Sequence, residues 1–175
     1  MSEKLEEPKY DLIRSLDSFE IRLYDNTIQA RFITKDDGSY SPSNGFRTIA
    51  GYIFGGNNSG QKIAMTAPVH MWNDQGMMKM AFTMPSEHDF SDLPIPNNSS
   101  VEIVKVTGKL TAVMKFSGFV GRNKVDRLSK TLLKLILKNK FEPISPHILA
   151  VYDNPWTTLP FLRRNEILIP IKDNS

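Results

Sequence analysis

A hydropathy pattern that occurs twice is what most narrows the possible fold of this chain. In the first half, Phe19-Glu20-Ile21-Arg22-Leu23-Tyr24 alternates apolar and charged residues as a half-buried strand requires, and residues 28–33 give a weaker second strand. Ser43 or Asn44 then caps a helix predicted to run to about Phe54, and the glycine-rich stretch Gly55-Gly56-Asn57-Asn58-Ser59-Gly60 stops it. Residues 67–72 and 78–84 read as a hairpin around Asn73-Asp74-Gln75-Gly76. The second half repeats the order, with strands near 101–106 and 110–116, a helix near 124–139, and strands near 148–152 and 166–171. Each half is ββαββ, with equivalent elements roughly 80 residues apart, which predicts an internal duplication. Eight strands and two helices place the chain in the α+β class, as an antiparallel sheet system with helices packed outside.

At 175 residues the chain has the length of one domain, expected over residues 10–172 with short tails at 1–9 and 173–175. It has no cysteine, which excludes disulfides, thiolate metal sites, covalent haem attachment, iron–sulfur clusters and cysteine nucleophiles. Glu3, Glu6 and Glu7 make the start unlike a signal peptide, and no apolar run approaches the ~20 residues of a membrane span, so a soluble, cytoplasmic protein is the expectation. A net charge of +3 suits anionic ligands but lacks the concentrated patch expected of a nucleic-acid partner.

The predicted helices differ in character. In the second, Val125, Leu128, Leu132, Leu135 and Ile136 form an apolar stripe opposite Arg127, Lys130, Lys134 and Lys138, with Leu133 and Leu137 at its margin. That pattern describes a packed helix with a solvated basic face; the same basic face offers an anionic membrane surface or a protein partner a place to dock. In the first, Phe46, Ile49 and Ile53 share one direction, leaving Arg47, Gly51, Ala50 and Phe54 towards the other face. Small residues there admit a flat ligand, and Arg47 matches a carboxylate at its rim; the plainer reading is that Gly51 allows close packing.

Several phrases in order carry a family resemblance: residues 19–24, Gly45-Phe46, Tyr52-Ile53-Phe54-Gly55-Gly56-Asn57, Lys62-Ile63-Ala64-Met65-Thr66-Ala67-Pro68-Val69, Phe82-Thr83-Met84-Pro85, Tyr152-Asp153-Asn154-Pro155 and Arg163-Arg164-Asn165-Glu166-Ile167. Together they resemble the SOUL/haem-binding family over nearly the whole chain. The resemblance implies a distorted eight-stranded antiparallel β-barrel of two repeats with two external helices. It also implies non-covalent binding of haem or another porphyrin through a shallow hydrophobic surface, without enzymatic chemistry.

The residues themselves show no nucleophile–base pair, carboxylate pair or phosphate-cradling loop at a recognisable spacing. His70, His88 and His147 are scattered, so axial ligation of iron is not expected, and the methionines at 78, 80 and 84 read as core. The loop containing Trp156, Leu159, Phe161, Leu162 and Arg163 combines large apolar residues with a cation, as a porphyrin face and its propionates require. The expected site is therefore Phe46, Arg47, Ala50, Gly51 and Phe54 with Trp156, Leu159, Phe161, Leu162 and Arg163. Besides the interaction module on the basic helix, a third reading is an effector-binding or hydrolase domain using Glu102 or Glu166.

Overall fold

The computed structural model of the protein describes residues 4–35, 43–154 and 158–174. In chain order the elements are β1 (Tyr10–Ser15), β2 (Glu20–Tyr24), β3 (Thr27–Lys35), α1 (Ser43–Ile53), β4 (Val69–Asp74), β5 (Met77–Thr83), β6 (Val101–Val106), β7 (Leu110–Ser117), α2 (Arg122–Lys138), β8 (Phe141–Pro143), β9 (Ile148–Val151) and β10 (Arg164–Asp173). Every ladder between these strands is antiparallel, so the chain is α+β, as the pattern implied. The described residues contain ten strands, not eight. The additions are β1, whose six residues are all exposed and carry no clean alternation, and β8, three residues that pair with the end of β10.

The described chain forms two compact units that do not coincide with its sequence halves. One comprises Met1–Pro8 and Asn26–Thr107, the other Lys9–Asp25 and Gly108–Ser175. In the first, the strands lie in the order β4-β5-β3-β6; in the second, the order is β9-β10-β7-β2-β1, with β8 also on β10. The two orders match if β6 and β2 are equivalent, so each unit takes one strand from the other sequence half.

In the first unit the β4–β5 turn uses Gln75 at φ 52° and Gly76 at φ 79°, the two left-handed residues that a tight hairpin needs. The helix α1 ends because Gly55 turns to φ 108°, letting the Gly55 and Gly56 amides donate to the Tyr52 and Gly51 carbonyls at 3.3 and 2.8 Å. Buried Asn57 fixes the loop that follows: its Nδ2 donates to the Tyr52 and Gln61 carbonyls, and its Oδ1 accepts from the Ser59 and Gln61 amides. Ile49, Tyr52 and Ile53 of α1 are buried with Ala30, Met71, Met80 and Phe82 of the sheet. The expected role of the methionine series as core thus holds for Met80 and Met84, with Met78 half-buried.

In the second unit α2 buries Val125, Ser129, Leu132 and Ile136, the centre of the predicted stripe, against a sheet face containing Ile21, Ala112, Leu149, Ile167 and Ile169. The opposite face carries Arg22, Val113, Ala150, Glu166 and Leu168 at the alternate positions. Gly108 is needed for a close approach: an added Cβ there would stand 1.8 Å from the Tyr24 carbonyl oxygen.

Candidate functional site

In the first unit α1 lies on β3, β5 and β6, its N-terminus brought close by Gly45, where a Cβ would stand 3.0 Å from the Phe32 ring. Between helix and sheet is an apolar cleft lined by Phe46, Ile49, Ala50 and Ile53 from α1, Val69, Met80 and Phe82 from the strands, and Met65 from the segment before β4. The space it encloses is about 10 Å³, no more than a water molecule needs, so a large planar ligand can only lie across the opening. Phe46 and Met65 stand at the opening, 43% and 39% exposed.

The expected α1 residues divide around this cleft. Phe46 and Ala50 line it, whereas Arg47, Gly51 and Phe54 are exposed outside the lining. Arg47 lies one helical step from Ala50 at i,i+3 spacing and, among the described residues, has no ion-pair partner, so its long side chain can reach over the rim. Nothing lies within 4 Å of a Cβ built on Gly51, so this glycine opens onto free space instead of serving close packing. The sequence reading omitted Met65, Val69, Met80 and Phe82; the alternate apolar positions of β5 were the available signal.

The other predicted residues belong to the second unit. Leu159, Phe161 and Leu162 are 58%, 69% and 63% exposed around a single 3-10 turn, while Arg163 is half-buried, its Nε donating to the Thr158 carbonyl at 2.9 Å. Trp156 lies outside the described residues.

Glu166, the glutamate singled out for a hydrolase, sits in a closed polar cluster of the second unit. Arg22 and Glu166 are each 2% exposed, and the guanidinium grips the carboxylate through Nη1 to Oε1 at 3.1 Å and Nη2 to Oε2 at 2.8 Å. The Tyr152 hydroxyl donates to the same Oε1, Arg22 Nη1 donates to the Tyr24 hydroxyl at 2.9 Å, and Arg22 Nε donates to Glu20. The Tyr10 ring lies 4.3 Å from the guanidinium carbon. Burial works against the Arg22 charge, but the bonds to Glu166 prevail and raise its pKa above the ordinary guanidinium value. Burial pushes Tyr24 up to about 12, partly opposed by Arg22, and burial with the adjacent Glu166 charge raises Tyr152 further. Both oxygens of Glu166 are thus engaged, an arrangement suited to holding β2, β9 and β10 together and not to abstracting a proton. Asn165 is fully buried and donates to the Gly118 carbonyl at 3.2 Å, so the Asn165-Glu166 pair has a structural role in this unit. Glu102, the other glutamate considered, is exposed on β6.

The histidines stay apart from the cleft. His70 occupies the β4 position between Val69 and Met71, on the sheet face opposite the cleft, with Nδ1 3.4 Å from Gln29 Nε2. Burial, with repulsion from Arg31, lowers its pKa to about 4. His88 sits 3.6 Å from Glu87, and burial lowers His147 despite Asp126. Among the described residues no three histidine or carboxylate side chains group as a metal site, and no helix is long and apolar enough to cross a membrane.

The residues around the cleft fit a porphyrin: apolar side chains and a thioether face the opening, and Arg47 stands beside it. Comparisons with solved structures bear on the fold, and a family model bears on the family. The chain is similar to the C-terminal domain of EcmrR, at 14% identity and TM-score 0.67 over 94% of this chain and 98% of that one. It is similar to a hydrolase from Listeria innocua, at 12% identity and TM-score 0.61 over 91% and 94%. A protein solved with bound tetraphenylphosphonium shares 12% identity and TM-score 0.52 over 88% and 93%. These likenesses concern the fold. No curated protein matches the chain. The model of the SOUL heme-binding protein family matches residues 5–170, so the chain belongs to that family.

Proposed function

We propose that this protein binds haem or a related tetrapyrrole reversibly on the open face of the α1 cleft. The supporting observation is the cleft itself: an apolar floor too small to enclose a ligand, with Phe46 and Met65 exposed at its mouth and Arg47 beside it. Removing apolar area from water contributes about 25 cal/mol per Å², so even one covered porphyrin face supplies several kcal/mol before ordering costs. The ring lies across Phe46 and Ala50, Arg47 pairs with a propionate, and the iron takes no strong ligand from the protein. Buffering or trafficking of the tetrapyrrole fits such a shallow, exchangeable site.

Titration with hemin tests this. A saturable change in the Soret band is expected, with iron-free protoporphyrin binding nearly as well and Arg47→Glu weakening both. A linear response no greater than that of an unrelated basic protein would refute the reading. Loss of hemin binding but not protoporphyrin binding in a single His→Ala variant would replace it with axial ligation.

A further inference from the structure

The second unit exposes large apolar side chains at one end, where two connections meet. Phe119, between β7 and α2, is 69% exposed, as is Phe161 in the connection before β10, which also exposes Leu159 and Leu162. The connections are tied together: the Arg163 guanidinium lies 5.4 Å from the centre of the Phe119 ring, Asn165 Nδ2 donates to the Gly118 carbonyl, and Arg164 is in register with Ser117. Four bulky apolar side chains on one tip exceed the scattered single exposures normal for a soluble surface. Their charged surroundings are predominantly basic, although Glu20 pairs with Lys115 at 3.1 Å and Asp153 accepts from the Arg164 amide. Residues 115–124 and 158–164 contain Lys115, Arg122, Lys124, Arg163 and Arg164 and no acidic residue.

We propose that this tip docks on anionic lipid bilayers, with Phe119 and Phe161 entering the headgroup region and the cations facing lipid phosphates and carboxylates. Aromatic and aliphatic side chains ringed by arginine and lysine match both layers of such a surface, the apolar boundary and the negative headgroups above it. The basic face of α2 offers less of the apolar half of that match, because its stripe at Val125, Leu132 and Ile136 is buried against the sheet and Leu137 is the one large apolar side chain it leaves exposed among the described residues. The site lies outside the lining of the α1 cleft and stands apart from tetrapyrrole binding.

Co-sedimentation of the full chain with phosphatidylcholine vesicles, with and without phosphatidylserine, tests the proposal. Binding to the phosphatidylserine vesicles is expected, weakening as salt is raised. Arg122→Ala and Arg164→Ala should each weaken it about fivefold, the effect of one basic residue near an anionic surface. Phe119→Ser with Phe161→Ser should weaken it more than about tenfold while leaving the circular dichroism spectrum unchanged. Because the chain has no cysteine, an environment-sensitive fluorophore can be placed at Phe161→Cys or at Lys134→Cys on α2. The emission should shift to the blue on adding anionic vesicles at the first position and not at the second. No preference for anionic vesicles, or a shift only at the α2 position, overturns the proposal. So does a serine double variant that keeps vesicle binding and loses hemin binding, which would assign the tip to the tetrapyrrole.

Discussion

The helices α1 and α2 follow equivalent strands of two similarly ordered sheets, yet one leaves a cleft and the other closes its sheet face. The longer α2 buries Val125, Leu132 and Ile136 to the last percent of their surface. The shorter α1 buries Ile49, Tyr52 and Ile53 but leaves Phe46 at the cleft mouth and Phe54 58% exposed. The sheet faces opposite the helices differ too. The second unit holds a buried, bidentate ion pair there, while the first holds Gln29, Arg31 and His70, with Glu102 opposite Arg31 in register but no carboxylate bonded to it among the described residues. Repetition of one plan has given two outcomes: the second unit closes its helix interface and locks its polar face, and the first leaves a cleft open beside its helix.

If that contrast is right, substitutions in the second unit cost stability and those at the α1 face cost binding. The largest stability effect belongs to Arg22→Ala, which strands the Glu166 carboxylate in a buried site. It should cost about 3–5 kcal/mol in urea unfolding, and Arg22→Met with Glu166→Gln should recover part of it. Leu132→Ala should cost about 2–5 kcal/mol with little effect on hemin titration, whereas Phe54→Ala should stay within about 0.5 kcal/mol. Equal costs for the two would break the comparison. A smaller effect comes from His70, whose pKa is about 4 in the fold against an ordinary 6.5. The unfolded chain therefore takes up the proton first, and stability present above pH 6.5 is lost as pH falls towards 4. The loss should be about 1–2 kcal/mol for a part-exposed ring, and His70→Gln should flatten that slope in unfolding measured across the same range.

Much of this was legible in the chain. The 3.6-residue spacing of Val125, Leu132 and Ile136 located α2 to within two residues at each end, and the Asn73-Asp74-Gln75-Gly76 signal located the β4–β5 hairpin. Short-range patterns report these elements because their physics is local. The Arg22–Glu166 pair left no such trace, since its partners are 144 residues apart and become neighbours only through β2, β7 and β10. For the same reason the chain read as two contiguous repeats, although β6 pairs with β3 and β2 with β7. On α1 the wheel separated buried from exposed residues but not which of them line the cleft, because the cleft's other wall comes from β4 and β5.

The exchange of β2 and β6 also bears on how the protein is made. A ribosome releases β1 and β2 early, and they can pair with each other, but the other partner of β2, β7, begins only at Leu110. The unit built from residues 26–107 can complete its sheet first, while the opening segment waits through that whole interval with Ile21 and Arg22 exposed. During synthesis, a strand among the first to emerge is therefore among the last to gain its full set of neighbours.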